Sequence, residues 1–282
     1  MKFNKRKSKL LELSIAEFSS LQEIFAKKGW PIEECFDDKV FDNFCELLKQ
    51  LDSEQRKLLI SLTKDFLWVQ ESSYLPYFSK TFNIFVDSYD FYRGKNIYIC
   101  PLLPEEDFGK SKSSVYLFYS VKSCLKVIQS KYNDFAITYS DMPKEVDLNL
   151  VKNNYTLCLI DDFIGTGETA ESAVSYFLNQ GIAKEKIVIL ALVGMKAGLS
   201  KLEKAGYQVY SNVLCDKGLS TKYDESQIAI MRDIEESIGV RADYRFGYGA
   251  SEALVRMRRT PNNTFPIYWY RGKKNNFAPF PR

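Results

Sequence analysis

The chain has 282 residues, of which 45% are apolar, and this is enough to fill one large or two modest hydrophobic cores. It contains no histidine, which excludes a Ser-His-Asp triad, a Cys-His dyad, a histidine proton shuttle and the usual His-containing zinc sites. The net charge is only +3, but residues 2–9 carry five basic side chains and residues 253–282 carry seven, with no acidic side chain in either stretch.

Targeting and redox features of the sequence favour a cytoplasmic location. No continuous apolar segment follows the basic N-terminus, and no later apolar run approaches the length that spans a membrane. The six cysteines form no CxxC pair, and Cys100 and Cys158 fall inside predicted buried strands. We therefore expect a soluble, unprocessed cytoplasmic protein with reduced cysteines and no membrane contact.

The predicted elements divide the chain into a helical part and an alternating part. Apolar residues at three- and four-residue steps predict helices over 14–28, 39–50 and 53–70. From Asn96 onward strands and helices alternate, which predicts an α/β fold with a doubly wound, mostly parallel sheet. The predicted strands are 97–100, 135–139, 156–160, 186–193 and 207–214, and the predicted helices are 114–130, 169–179, 196–205 and 224–237. We expect a helical N-terminal region over 1–92 and an α/β domain over 93–282, with a boundary near 88–95.

A long loop after the first predicted strand of the sheet is rich in lysine and serine. It leads into the helix at 114–130 and contains Lys110, Ser111, Lys112 and Ser113. Two ammonium groups beside a helix N-terminus would offset the charge of an anionic ligand. A helix capped by serine, with both lysines solvated, explains the same residues equally well.

The most informative segment is the apolar strand 157–160 followed by Asp161, Asp162 and a small, hydroxyl-rich turn. Gly165 and Gly167 permit backbone conformations in which successive amides of residues 165–169 point toward one anion, and the following helix adds positive potential. The hydroxyls of Thr166 and Thr169 are further donors. The two carboxylates are suited to paired sugar hydroxyls or to hydrated magnesium. The alternative is an ordinary strand, turn and helix capped by Thr166, with both aspartates merely solvated.

These residues resemble the phosphoribosyl diphosphate (PRPP) motif of the type I phosphoribosyltransferases. The match spans residues 157–169, where an apolar strand leads into two acidic residues, two apolar residues and a Thr-Gly-x-Thr loop. The resemblance implies that Asp161 and Asp162 hold the ribose 2′ and 3′ hydroxyls and act indirectly on Mg²⁺, through the ligand or water. It implies that Gly165, Thr166, Gly167, Glu168 and Thr169 wrap the 5′-phosphate, and that the loop at Lys110, Ser111, Lys112 and Ser113 grips the diphosphate.

Two positions depart from the pattern of that family. Purine-salvage members often carry an acidic residue, proposed as a base, where this chain has Gly165, so no general base is visible. Glu168 stands where a carboxylate would repel a bound phosphate, and we therefore expect its side chain to face solvent.

The C-terminal tail combines basic and aromatic residues. Arg256, Arg258, Arg259, Arg271, Lys273 and Lys274 interleave with Tyr268, Trp269, Tyr270, Phe277 and Phe280. This mixture suits phosphates and stacked bases, but 266–270 is also typical of a terminal strand whose aromatic side chains pack inward. The segment 246–249 has a GxG pattern without a third glycine, and we interpret it as a turn before a strand at 252–257.

A wider set of segments resembles the PRTase-like proteins of prokaryotic conflict systems. It comprises the loop at Pro101, the Lys-Ser-Lys-Ser run, the acidic turn and the terminal segment from Thr260 to Trp269. Some such proteins resemble retron accessory effectors, and the resemblance implies an antiphage role with a winged-helix protein and a reverse transcriptase carrying a DNA–RNA hybrid as partners.

Two functions from different classes remain open. The first is an enzyme that uses PRPP or another ribose phosphate and acts on nucleotides or nucleic acid. The second is a non-catalytic binding module that retains the ligand cradle and acts through assembly. The acidic pair and the Thr-Gly-Glu-Thr turn favour the first function, whereas Gly165 and the missing base favour the second.

Overall fold

The protein is represented by a computed structural model that describes residues 12–32, 39–90, 95–272 and 277–282. The basic residues 2–9, Cys35, Lys273 and Lys274 lie outside the described residues, as does part of the boundary predicted near 88–95. The described helices are α1 (Ile15–Lys28), α2 (Val40–Lys49), α3 (Ser53–Asp65), α4 (Tyr74–Ser88), α5 (Ser113–Lys131), α6 (Leu148–Asn153), α7 (Glu168–Asn179), α8 (Lys196–Lys204) and α9 (Glu225–Ile238). The described strands are β1 (Leu67–Trp68), β2 (Asn96–Pro101), β3 (Ala136–Tyr139), β4 (Thr156–Ile164), β5 (Ile187–Met195), β6 (Gln208–Cys215) and β7 (Val255–Arg256).

Contacts group the described residues into two units. One draws on Met1–Trp68, Lys217–Arg256 and Thr260–Arg282, and the other on Val69–Asp216 and Met257–Arg259. The division at residues 92 and 93 stays a prediction.

The first unit, which we call the helical unit, contains α1 to α3, α9 and the parallel pair of β1 and β7. Capping boxes at Ser14, Asp52 and Asp224 start α1, α3 and α9, because each side chain satisfies an amide that the helix leaves unpaired. Its core is aromatic: the Phe66 ring stacks on Phe280 with centroids 4.9 Å apart, and both side chains are buried.

The second unit, which we call the sheet unit, is built on a sheet that has five strands among the described residues, in the order β3-β2-β4-β5-β6. Every adjacent pair in this sheet is parallel. The central strands β4 and β5 are buried along their whole length, because helices cover both faces of the sheet.

Side-chain alternation along β4 separates the two faces. Leu157 and Leu159 pack in one cluster with Ala173 and Phe177 of α7. Cys158 and Ile160 are buried on the opposite side, and α4 and α5 pack against β4 and β5. The predicted doubly wound, parallel α/β class is therefore confirmed, as is a helical N-terminal region.

The helix predicted over 53–70 was too long. It ends at Asp65, because Phe66 adopts an extended conformation that buries its ring completely and lets Leu67 and Trp68 pair with β7. Helical spacing continues past this point in the sequence, but tertiary packing overrides it.

The strand predicted at 266–270 was wrong, although the inward packing of its aromatic side chains is confirmed. Pro266–Tyr268 form a 3₁₀ turn in which the Pro266 carbonyl accepts the amide of Trp269 at 3.0 Å. Tyr268, Trp269 and Phe280 are buried, and this leaves these three rings unable to stack on bases. The strand at 252–257 shrinks to Val255–Arg256, and 246–249 forms a turn as predicted.

The described cysteines are all free thiols, and Cys100 and Cys158 are fully buried in strands as expected. None of the described helices combines the length and the apolarity that crossing a membrane requires.

Candidate ribose-phosphate site

The acidic pair lies at the carboxyl end of β4, in the middle of the sheet. β2 pairs with β4 only as far as Pro101 opposite Ile160, whereas β5 stays paired with β4 as far as Ile164. Because β2 leaves the sheet first, Asp161 and Asp162 follow the point where one neighbouring strand diverges. Crevices for ligands form at such points in parallel sheets.

Both carboxyl groups are buried. Asp161 is 8% exposed and Asp162 is 2% exposed, and Asp161 Oδ1 accepts the main-chain amide of Asp162 at 2.8 Å. The alternative in which both aspartates are merely solvated is therefore wrong. No salt bridge reaches either carboxylate from the part of the chain that the structure describes.

Burial raises the pKa of both groups because it disfavours the charged form. For Asp161 the charge of Asp162 raises the pKa further. For Asp162 hydrogen bonds from Ser113 and Tyr74 act in the opposite direction and stabilise the carboxylate. A cation or a hydrogen-bond donor of a ligand would favour the charged form of the pair and lower these pKa values.

In the turn after β4, no side chain caps the backbone amides at the start of α7. Gly167 adopts the left-handed conformation with φ +85° and is the N-cap of α7, and no side chain caps this helix. The alternative in which Thr166 caps the helix is therefore wrong. Gly165 and Thr166 are half-buried, Thr169 is exposed, and Glu168 is exposed as expected.

Helix α8 supports this turn from behind through a close backbone contact. A Cβ atom on Gly198 would lie 2.0 Å from the carbonyl oxygen of Gly165, and a Cβ atom on Gly167 would lie 3.2 Å from the carbonyl oxygen of Gly198. Only glycine at these positions lets the two backbones approach so closely. The position of the turn is therefore set by the packing of α8.

The lysine and serine loop reaches the acidic pair through one residue. Ser113 begins α5 and lies near enough to Asp162 to lower the pKa of its carboxyl group, while Ser111 is exposed. Lys110 and Lys112 instead contact Asp107, at 3.0 and 2.8 Å. Burial alone would raise the pKa of Asp107, but the hydrogen bonds and charges of the two lysines lower it overall.

The alternative interpretation of this loop, in which a serine caps helix α5, is wrong. The N-cap of α5 is Lys112, and no side chain caps the helix. Two lysines share the carboxylate of Asp107, so residues 107–113 carry a net charge of +1 beside the helix N-terminus, with Glu105 and Glu106 just before them.

Sequence reasoning missed Tyr74, the first residue of α4. Its side chain is 1% exposed, and its hydroxyl donates to Asp162 Oδ2 at 3.0 Å and accepts the main-chain amide of Arg258 at 2.8 Å. Burial, and then the charge of Asp162, raise the pKa of Tyr74, so the hydroxyl stays protonated and donates. No motif marks this tyrosine, because its partners lie 88 and 184 residues away in the sequence.

The carboxylates provide only part of a metal site. No group of three or more Cys, Asp or Glu side chains with the geometry of a metal site occurs among the described residues. The carboxylates of Asp161 and Asp162 fit an Mg²⁺ ion that a bound ligand also coordinates. Mg²⁺ is commonly held by one or two carboxylates together with phosphate oxygens and water.

The fold and the site define an α/β protein in which an acidic pair precedes a glycine-containing turn at a helix N-terminus. The PRTase-CE family model matches residues 36–282, and the chain belongs to this family. No curated protein matches the chain.

A solved structure with detectable similarity is the orotate phosphoribosyltransferase from Aeropyrum pernix. The sequence identity is 14%, the match covers 58% of this chain and 77% of that chain, and the TM-score is 0.32.

Proposed function

We propose that this protein binds PRPP or a related ribose phosphate together with Mg²⁺. The observation that carries the proposal is a buried pair of carboxylates, without a salt bridge among the described residues, directly before a turn whose helix has no side-chain cap. Asp161 and Asp162 would accept hydrogen bonds from the ribose hydroxyls, and the amides of residues 165–169 would surround the 5′-phosphate.

Asp161 and Asp162 would also orient Mg²⁺ through water or through ligand oxygens. The ion would supply positive charge against the diphosphate group. Ser113, whose hydroxyl contacts Asp162, would stand between the ribose and the diphosphate, and Lys110, Ser111 and Lys112 would face the diphosphate.

An active enzyme of this kind would catalyse displacement at the anomeric carbon. The bond from C1 to the diphosphate oxygen breaks with its electron pair leaving on the diphosphate, a bond from C1 to a nitrogen nucleophile forms, and that nitrogen loses a proton. Positioning and charge stabilisation would supply most of the rate effect. The physiological role in this proposal is that of a cytoplasmic, retron-type antiphage effector that acts on nucleotides or nucleic acid.

The second candidate is a non-catalytic module that assembles with a winged-helix protein and a reverse transcriptase bound to nucleic acid. Gly165 favours it, because this position carries no acid that would accept the proton of the nucleophile. The two strongly basic ends of the sequence also favour it, because they suit a polyanionic partner.

Calorimetric titration with PRPP in the presence of Mg²⁺ tests the ligand. The wild-type protein should release or absorb heat on binding, Asp162→Asn should abolish the signal, and Glu203→Gln, an exposed carboxylate on α8, should leave it unchanged. No heat from the wild-type protein would end the ligand proposal.

Purification from the native host separates the two candidates. Release of diphosphate from PRPP on addition of purified nucleotides or nucleic acid would support the enzyme. Co-purification with a reverse transcriptase and nucleic acid, without diphosphate release, would support the module, and elution alone would contradict it.

A further inference from the structure

Arg258 occupies a defined position on the sheet unit. Its guanidinium carbon lies 3.9 Å from the centroid of the Tyr116 ring, and its Nε donates to Glu71 Oε1 at 2.8 Å. The hydroxyl of Tyr116 donates to the other oxygen of Glu71, at 2.7 Å. One carboxylate therefore holds both the arginine and the ring on which the arginine stacks.

The positive charge of Arg258 is paired with the negative charge of Glu71, and both side chains remain exposed to solvent. The hydrogen bond from Tyr116 lowers the pKa of Glu71, burial acts against it, and Arg258 lowers it further, so Glu71 is a carboxylate at neutral pH. The side chains of Arg258 and Glu71 are 51% and 57% exposed. An exposed ion pair of this kind is worth only about 0–1 kcal/mol, so an anionic ligand can compete with it.

Two independent connections place Arg258 beside the acidic pair. Its main-chain amide donates to the Tyr74 hydroxyl, which donates to Asp162. Tyr116 lies in the first turn of α5, three residues after Ser113, which lies near enough to Asp162 to lower the pKa of its carboxyl group. The guanidinium is thus held at the end of the site where the lysine and serine loop enters α5.

The guanidinium retains donors for a ligand. Within the described residues its hydrogen bond to protein is made through Nε, and no hydrogen bond of the two terminal NH₂ groups is recorded there. These groups form a planar fork that matches two oxygens of a phosphate, and stacking on Tyr116 fixes the plane of the fork. Lys110 and Lys112 of the neighbouring loop, which contact Asp107, carry point charges without such a planar fork.

We propose that Arg258 binds the diphosphate group of the ribose-phosphate ligand, with Tyr116 and Glu71 holding its guanidinium in place and Tyr74 fixing its main chain relative to Asp162. This inference rests on the proposed function. It assigns a discriminating role to Arg258: the residue contacts the group that PRPP has and ribose 5-phosphate lacks, whereas the 5′-phosphate common to both ligands lies at the turn before α7.

The test compares Mg²⁺-PRPP with ribose 5-phosphate as probes for the full-length protein. Arg258→Gln keeps the main-chain amide that bonds to Tyr74 but removes the charge. We expect it to weaken PRPP binding by about 10- to 100-fold, the range for loss of a charge-assisted contact, and to change ribose 5-phosphate binding by less than about twofold. Arg259→Gln, an exposed arginine one residue away, is the matched control for a general loss of positive charge.

The outcomes separate the two proposals. If Asp162→Asn abolishes PRPP binding and Arg258→Gln binds PRPP as the wild type does, the assignment of Arg258 is wrong and the proposed function stands. Equal weakening by Arg258→Gln and Arg259→Gln, or equal weakening toward both ligands, also overturns it. If the wild-type protein binds neither ligand, the proposed function fails and the assignment fails with it.

Discussion

The contact between Gly198 and Gly165 makes a quantitative prediction about how the phosphate turn is supported. In Gly198→Ala the new methyl carbon would stand 2.0 Å from the Gly165 carbonyl oxygen, 2.9 Å from its carbon and 3.2 Å from the carbonyl carbon of Thr166. All three are backbone atoms, so no side-chain rotation relieves the clash. Either α8 or the turn must move by more than about 1 Å, since ordinary contacts of carbon with oxygen are roughly 3.4 Å or longer.

The expected cost follows from that displacement. Overpacking a dense interior costs about 1–3 kcal/mol, and the higher helix propensity of alanine offsets up to about 1 kcal/mol of it. A backbone clash at 2.0 Å belongs at the upper end of that cost, so we expect the free energy of unfolding to fall by about 1–2 kcal/mol. The amides of residues 165–169 shift with the turn, and a misplacement of about 1 Å at a reacting site can cost on the order of 100-fold. We therefore expect PRPP affinity to fall by roughly 10- to 100-fold.

Urea denaturation followed by circular dichroism measures the first quantity, and calorimetry with Mg²⁺-PRPP measures the second. Ser200→Ala, in the same helix, is the control because it adds no atom. Wild-type stability together with wild-type affinity in Gly198→Ala would refute the reasoning. A loss of stability with unchanged affinity would show that α8 moves and the turn does not.

The remaining predictions concern buried polar groups. Tyr74→Phe removes the hydroxyl that serves both Asp162 and the Arg258 amide, so unfolding should become easier by about 1–3 kcal/mol in urea denaturation; an unchanged midpoint would contradict this role. Asp162→Asn puts a neutral amide in place of a carboxyl group whose charged form burial disfavours, so the ligand-free protein should unfold at a higher urea concentration while losing PRPP binding; a destabilised variant would contradict the account. In the helical unit, burial raises the pKa of Glu235 from 4.5 to about 8. The folded state therefore keeps a proton that the unfolded state loses between those values, and the free energy of unfolding should fall as pH rises from about 4.5 to about 8. Glu235→Gln should remove this slope in denaturation curves across that range, whereas Asp233→Asn, an exposed carboxylate on α9, should retain it.

The sequence predicted those features that depend on local pattern. The buried strands β2, β4 and β5 are continuous apolar runs, and α1, α7 and α9 have both regular apolar spacing and flanking turn residues, so their positions were predicted to within a few residues. β4 extends beyond the predicted residue 160 to Ile164, because β5 continues to pair with it after the apolar run ends.

The sequence did not reveal features that depend on distant contacts. The end of α3 at Asp65 follows from pairing between Leu67 and Val255, which are far apart in the chain. The hydrogen bonds of Tyr74 likewise join three remote segments. The short helix α6 has too few residues to show a helical period. The burial of Asp161 and Asp162 also depends on what packs over the end of β4, and a strand ending in two acids looks the same whether they are solvated or enclosed.

Determination of the structure of the protein with Mg²⁺-PRPP tests the central claim most directly. The account predicts the 5′-phosphate against the amides of residues 165–169, the ribose hydroxyls on Asp161 and Asp162, and the diphosphate beside Ser113 and Arg258. A ligand bound elsewhere, or the acidic pair unchanged and out of contact with a bound ligand, would contradict it.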